Sequence, residues 1–291
     1  MYGIIFNPTS GGGKSAELAG RIGKVIVDRG EVYHLFATEY AGDGAHQAQL
    51  ALEAGCSAIV CIGGDGTLSE VVQAVAQTDV TLYIVPAGTG NDFSRMLKLP
   101  KDPVKAFVAQ LDGEEHLIDC GSINGKAFLN VSGSGFDVEV LVKTEELKEI
   151  YPGGKAYSKA VLAVLSSYQA FEADISVEGK AFEHHRCTII EVANGRYFGG
   201  GMSVAPHAII EDGLFDIVVV DRVPSKAIPF LLPLFIGGLH VHLPVARVMS
   251  AKKVVMRAKD MVVEVDGQLA QMDEARFEIM EGAIRVKRPK K

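Results

Sequence analysis

Short apolar runs and amphipathic stretches alternate through the first third of the chain. Tyr2–Asn7, Glu31–Ala37, Ala58–Ile62 and Thr81–Pro86 have the length and composition of buried strands. Between them, Leu18, Ile22, Val25 and Ile26 fall on one helical face. Asp43–Glu53 reads as a helix ended by Gly55, and Leu68, Val71, Val72 and Val75 recur at helical spacing. Asp102-Pro103 opens one more helix, with Asp as cap and Pro at the first helical position. This alternation predicts an α/β domain, a mostly parallel sheet with helices on its faces.

Around Glu114 the pattern changes. His116–Ile123, Asn124-Gly125 and Lys126–Ser132 form a hairpin signal. Strand-like runs follow at Asp174–Val177, Arg186–Ala193, Leu214–Val220, Lys253–Ala258, Val262–Val265 and Arg276–Met280. Helices are expected near Asp137–Glu149, Lys155–Phe171 and Ser225–Leu239. The second half is therefore expected to be mainly antiparallel β. A boundary near Gly121 divides the chain into residues 1–121 and 122–291, with no long linker and no internal repeat. The most apolar stretch, Ala227–Leu239, is short for a membrane span, and Pro229, Pro233 and Gly237-Gly238 interrupt it.

Composition narrows the function. The chain is 48% hydrophobic, enough for a sizeable core, and its formal charge of −7 disfavours nucleic acid as a partner. The basic tail Lys287, Arg288, Lys290 and Lys291 reads as a solvated terminus. The four cysteines show no metal-ligand spacing, and Cys61 and Cys120 sit in strand-like runs as small hydrophobes. The eight histidines form no metal pattern either. No signal peptide precedes Tyr2–Asn7, so a reduced, cytoplasmic protein is expected.

The chemistry gathers in three turns between strand and helix, each rich in Gly and polar residues. Gly63-Gly64-Asp65-Gly66-Thr67 lets backbone N–H groups approach an anion, with a helix N-terminus behind it. Asp65 inside such a cradle repels phosphate unless a cation lies between them. The competing reading is a plain turn in which Asp65 caps the helix. Asn7-Pro8-Thr9-Ser10-Gly11-Gly12-Gly13-Lys14-Ser15 ends like a Walker A motif, but Pro8 stands where that motif needs Gly. Ala87-Gly88-Thr89-Gly90-Asn91-Asp92-Phe93 is the third turn. Gly64, Gly66 and Ser69 approximate a dinucleotide fingerprint, yet Thr81–Val85 ends without an acidic residue for a ribose.

Taken in order, NPTSGGGKS, GGDGTLSEVV, PAGTGNDFSR, the Asp119 segment, FLNVSGSGFDVEV and ANGRYFGGGMSVAPHAIIEDGLFDI resemble the diacylglycerol kinase catalytic-domain family, the bacterial soluble lipid kinases included. The resemblance covers nearly the whole chain. It implies an α/β domain joined to a β-sandwich-like domain, with the active site in the cleft between them. It also implies transfer of the ATP γ-phosphoryl group to a lipid hydroxyl, with Mg²⁺. Asn7, Ser10, Gly12, Gly63, Gly64, Gly66, Thr67, Gly88, Thr89 and Asn91 would then bind the nucleotide. Asp65, Asp92 and Asp119, evenly spaced 27 residues apart, are expected to converge on one edge of the sheet and organise Mg²⁺. Alone, Asp92 reads as a helix cap, Asp119 as a strand-end residue with a nearby donor, and Asp212-Gly213 as a turn. The resemblance makes Asp212, with the carbonyls of Ile209 and Leu214, the ligands of a second, structural metal.

One position departs from the pattern. The family places Asp-Gly-Glu on a late strand, its Glu the general base; here the residues are Asp266-Gly267-Gln268, and an amide accepts no proton at neutral pH. The base role then passes to Asp65 or Asp266. The expected protein is a cytoplasmic lipid kinase that visits the membrane surface for its substrate, without a transmembrane segment; a homodimer is left open. The alternatives are an NAD kinase, which shares GGDGT, and a catalytically weak lipid- or nucleotide-binding regulator, motivated by Gln268.

Overall fold

The computed structural model describes residues 1–8, 13–147, 149–151 and 155–290. Four strands, β1 (Tyr2–Phe6), β2 (Tyr33–Ala37), β3 (Ala58–Gly63) and β4 (Thr81–Pro86), form the parallel sheet in the order β4-β3-β1-β2. Period-two alternation sorts their side chains to two cores. Ile4, Phe6, Val60, Ile62, Tyr83 and Val85 face α1 (Lys14–Asp28) and α5 (Pro103–Leu111). Ile5, Ile59, Cys61, Leu82 and Ile84 face α2 (Gly44–Glu53) and α3 (Asp65–Val75). The expected cap is present: Asp102 accepts the Lys105 N–H at 2.8 Å, with Pro103 in the first turn.

The second half is antiparallel, as expected, but its strands are longer than the sequence suggests. β5 (Glu114–Ile123) turns through Asn124-Gly125, both at positive φ, into β6 (Lys126–Phe128). The expected single strand Lys126–Ser132 is broken. The N–H groups of Leu129, Asn130 and Val131 go instead to the Asp266 carboxylate, and pairing resumes at β7 (Val131–Gly135). Helices α6 (Phe136–Leu147) and α7 (Lys155–Ser167) follow, then β8 (Phe171–Val177) and β9 (Glu183–Ala193). Of the last turn expected of α7, residues 168–170 are irregular and Phe171 already begins β8. After the small hairpin of β10 (Tyr197–Phe198) and β11 (Met202–Ser203) comes β12 (Phe215–Asp221). The expected helix Ser225–Leu239 is a 3-10 turn over Ser225–Ala227 followed by α8 (Ile228–Ile236). A further strand that the pattern did not signal, β13 (Ala246–Ala251), flanks β12.

Two long strands finish the chain. β14 (Lys253–Val265) merges the two expected runs across a bulge, where Asp260 takes positive φ. β15 (Gln268–Arg288) absorbs Arg276–Met280 and runs for 21 residues. Its first part pairs with β14, its second part from Phe277 onwards pairs antiparallel with β5, and near its end it also lies parallel to β4, Arg285 opposite Thr81 and Val286 opposite Leu82. The sheet is therefore continuous across both halves, and the boundary expected near Gly121 falls inside β5. Phe128, Phe215 and Phe277 centre the sandwich core, while α6 and α8 cover its outer face with Phe136, Val140, Ile228 and Phe235.

Gln110 shows how tightly the parallel sheet is tied. Fully buried on α5, it accepts the Ile84 N–H at 3.0 Å and donates to the Ile84 carbonyl at 2.7 Å. Gln110→Leu keeps the volume and leaves a buried donor and acceptor unpaired. A loss of about 2–4 kcal/mol is expected in denaturant unfolding; a loss within 0.5 kcal/mol, roughly a surface-substitution effect, would show that the tie is dispensable.

Candidate active site

The site is built where β3 and β4 end. A Cβ on Gly88 would lie 2.4 Å from the Gly64 Cα, so the two turns touch backbone to backbone and only glycine fits. Gly63 packs the same way under Thr67, where a Cβ would lie 2.5 Å from the Thr67 Cβ. Asn91, in the left-handed region, clamps its own turn: Nδ2 donates to the Gly88 carbonyl at 2.7 Å and Oδ1 accepts the Gly88 N–H at 3.0 Å. Asp65 joins the turns. It begins α3, but its Oδ1 accepts the N–H groups of Asp92 (2.8 Å) and Phe93 (3.3 Å), at the start of α4 (Asp92–Met96). Asp65 thus caps the neighbouring helix rather than its own.

The second Asp65 oxygen faces Asp92 across Gly90. A Cβ on Gly90 would lie 2.8 Å from Asp65 Oδ2 and 3.5 Å from Asp92 Oδ2. Burial and then the Asp92 charge push the Asp65 pKa up, against the N–H groups that lower it. Asp92 is buried, accepts the Gly200 N–H at 2.8 Å and pairs with Arg95, whose guanidinium lies over the Tyr197 ring. The loop Tyr197–Met202 is in this way fastened to the third turn.

Asp266 completes the wall from the second half. With Gly267 it makes the two-residue turn of the β14–β15 hairpin, both at positive φ. Its carboxylate accepts from Leu129 (2.7 Å), Asn130 (2.8 Å) and Val131 (3.3 Å). Burial outweighs these donors, and with the Asp65 charge it lifts the Asp266 pKa to about 6. Asp65, Thr89, Gly90, Asp92, Asp266 and Gly267 line one cleft of about 530 Å³ between the halves.

Of the residues expected at the site, Gly63, Gly64, Gly66, Thr67, Gly88, Thr89 and Asn91 form the two touching turns. Asn7 follows the end of β1, on the same edge of the sheet. Ser10 and Gly12 lie outside the described residues. Gln268 starts β15, exposed, one residue past Gly267 at the cleft's rim. Asp119 does not join Asp65 and Asp92. It is buried in β5, where Oδ2 accepts the Gly213 N–H at 2.7 Å and Oδ1 the Gly282 N–H at 2.8 Å. The expected convergence of three aspartates is corrected to two, because Asp119 holds backbone of the Asp212 turn and of a bulge in β15. Asp212 is exposed and accepts the Leu214 N–H at 3.1 Å; burial of its carboxyl and the nearby Asp216 and Asp119 raise its pKa.

The pattern did not single out three further acids. Glu191 on β9 and Glu264 on β14 flank Gly133 of β7 in one row, and Asp137 opens α6 beside them. Glu264 was readable only as an inward position, two residues before Asp266 on an alternating strand. Arg95 and Gly200 were also missed; each holds Asp92 through a contact distant in sequence or specific to the folded loop.

A Mg²⁺ ion fits this arrangement. Half-buried Asp65 and buried Asp92 turn their carboxylates towards each other, and burial, then repulsion from Asp92, raises the Asp65 pKa. Among the described residues no three His, Cys, Asp or Glu side chains group as ligands of one ion. Mg²⁺ commonly takes one or two carboxylates, with water and phosphate as its other ligands.

Known proteins resemble this chain in both of its halves. The family model described as "Diacylglycerol kinase catalytic domain" matches residues 1–123, and that described as "YegS C-terminal NAD kinase beta sandwich-like domain" matches residues 130–288. A protein of Pseudomonas fluorescens named "Probable lipid kinase YegS-like" is 33% identical over 253 residues, covering 86% of this chain and 83% of its own. A protein of Mycobacterium tuberculosis named "Diacylglycerol kinase" is 32% identical over 292 residues, covering 98% and 94%. The crystal structure of a Bacillus anthracis protein provisionally named a diacylglycerol kinase superposes with a TM-score of 0.79 at 25% identity, covering 99% and 96%. An Archaeoglobus fulgidus NAD kinase with ATP shares the fold at a TM-score of 0.56, with 14% identity over 100% of this chain and 94% of its own. By its motifs, its two domains and its relatives, this chain is an enzyme of the diacylglycerol kinase catalytic-domain family.

Proposed function

We propose that the enzyme transfers the γ-phosphoryl group of ATP to a hydroxyl of a membrane lipid. One observation carries this reading: the acid-lined cleft adjoins an apolar chamber across a shared wall. Asp137, Tyr157, Phe198 and Met202 line both, and beyond them the chamber is walled by Val220, Ile228, Leu231, Phe235 and Val245. A polar transfer site beside an apolar chamber suits an amphipathic acceptor. The chamber is narrow, about 60 Å³, so an acyl chain enters by parting α8 from the sandwich. Only Ile228 and Phe235 of α8 are buried, while Phe230 is 81% exposed, so that helix is lightly held. Phe230, Leu239 and Leu162 present apolar surface around this region, which supports docking on a bilayer. The NAD kinase alternative has the shared fold behind it and no matching motif beyond GGDGT.

The chemistry asks chiefly for position and charge. The touching turns at Gly63–Thr67 and Gly88–Asn91 offer N–H groups and glycine clearance to the nucleotide's phosphates. Asp65 and Asp92 would hold Mg²⁺, which supplies neutralisation of phosphate charge when bound. The acceptor hydroxyl gives its proton to a carboxylate of the cleft as its oxygen bonds to the γ-phosphorus and the bond to ADP breaks. Asp266 suits that role: its oxygens are fixed by three N–H groups, and its pKa of about 6 leaves it ionised at neutral pH yet willing to take a proton.

Two outcomes test this reading. Purified protein with γ-labelled ATP should label diacylglycerol or another hydroxyl lipid in mixed micelles, and not NAD. Asp65→Asn keeps the acceptor for the α4 N–H groups and removes the charge, so it should fold normally and lose roughly 10²-fold or more in kcat. Label in NAD alone, or an active Asp65→Asn, would overturn the assignment.

Protonated Asp266 cannot take the hydroxyl proton, so kcat/KM should rise with pH through about 6 and level off above it. Gln268→Glu should add about tenfold or more to turnover if a base at the rim is what the wild type lacks. A fast wild type that the substitution does not improve leaves the proton with Asp266 or Asp65.

Asp212, with the carbonyls of Ile209 and Leu214, is the proposed ligand set of a second, structural ion. The supporting observation is a carboxyl pushed towards protonation, first by partial burial and then by the nearby Asp216 and Asp119. Added Mg²⁺ or Ca²⁺ without nucleotide should raise the Tm of wild type and not of Asp212→Ala. A variant that still responds to the metal would remove this site.

A further inference from the structure

The cleft wall and the strands behind it hold three carboxyl groups that the transfer chemistry does not use: Glu264 and Asp137 line the cleft, and Glu191 lies buried behind them. Glu191 and Glu264 stand opposite Gly133 on its two neighbouring strands. Gly133 has no side chain to separate them, and a Cβ there would lie 2.1 Å from Glu191 Oε2. Asp137 comes down from the first turn of α6 to within hydrogen-bonding reach of Glu191. Glu191 is 0% exposed and Glu264 3%, and among the described residues none of the three has a cationic partner.

Such a group holds protons. Two carboxyl groups in contact form a hydrogen bond only when one is protonated, and three bare charges at this depth would cost far more than the fold tolerates. Burial pushes all three pKa values up, and mutual repulsion pushes those of Glu191 and Glu264 well up. Glu264 is also oriented. Its Oε2 accepts the Gly267 N–H at 2.7 Å, while Oε1 is buried, lacks a protein partner and belongs to the side chain that lines the cleft beside Asp137. The site thus places a neutral carboxylic acid, with its O–H, in the cleft wall beside Asp137, which also lines the apolar chamber.

Resting on the lipid-kinase reading above, we propose that Glu264 determines specificity by donating this O–H to an acyl ester carbonyl of an uncharged glycerolipid. The ester is the group that lies between the reacting hydroxyl and the acyl chains, and Glu264 shares the cleft with Asp266 and with Asp137, which also lines the chamber. Asp137 and Glu191, behind it, are positioning residues that keep the Glu264 proton in place. A neutral acid suits an ester oxygen, whereas an amine-bearing lipid would require the cluster to ionise.

The test compares a diacylglycerol with its dialkyl ether analogue of equal chain length, and with sphingosine, in mixed micelles at saturating ATP. Wild type should show a KM for the ether about tenfold above that for the ester, the worth of one hydrogen bond. Glu264→Leu should bring the two KM values together while leaving the KM for ATP unchanged. Glu264→Gln, which retains a donor and an acceptor for Gly267, should preserve the preference, an outcome a merely structural role does not predict. Equal KM values for ester and ether in wild type would overturn the inference, as would an undiminished preference in a folded Glu264→Leu. Preference for sphingosine over both would overturn it too. Transfer to no lipid at all would instead remove the lipid-kinase reading, and this inference with it.

Discussion

Everything in the cleft depends on two glycine turns being in contact. Because Gly64 and Gly88 meet at backbone distance, the ends of β3 and β4 present their N–H groups as one surface. Asp65 then spans the seam, its Oδ1 on the first N–H groups of α4 and its Oδ2 turned to Asp92. A single carboxylate therefore fixes the second turn and carries charge into the site. That dual use explains why it tolerates burial: the N–H groups offset part of the desolvation, and the rest leaves an acid poised for a cation.

The second half is brought to this seam by covalent continuity rather than by docking alone. β15 starts at the Asp266-Gly267 turn in the cleft and ends paired with β4. Between those points its pairing with β5 shifts register from Met280 to Ile284, and Gly282 takes positive φ there. Asp119 holds that bulge through the Gly282 N–H and simultaneously holds the Asp212 turn through the Gly213 N–H. The bulge lets one strand leave the sandwich and enter the parallel sheet.

Local chemistry made much of this legible in the sequence. The strand–turn–helix alternation, the Asp102-Pro103 cap and the Asn124-Gly125 hairpin all depend on neighbours within a few residues, and each stands as read. What escaped depends on contacts distant in sequence. Even spacing suggested that Asp119 would meet Asp65 and Asp92, but spacing along the chain does not fix which end of an antiparallel strand a residue occupies. The break at Leu129-Asn130 arises from a carboxylate more than a hundred residues away. Glu191 and Glu264 lie within apolar runs, where periodicity puts them inside without saying that they share a row.

That row also bears on the amide at position 268. The Asp266-Gly267 turn is held at three points on one side by Leu129, Asn130 and Val131, and on the other by Glu264 through the Gly267 N–H. Gln268, just beyond the turn, is exposed and belongs to the rim. The residue with fixed oxygens facing the cleft is Asp266, and its burial brings its pKa close to neutrality without any help from position 268. The buried acids behind it add negative potential when they ionise and none while they hold their protons. The protonation of Glu264 and the basicity of Asp266 are thus linked through two residues of one strand: whatever keeps the first neutral keeps the second from rising further.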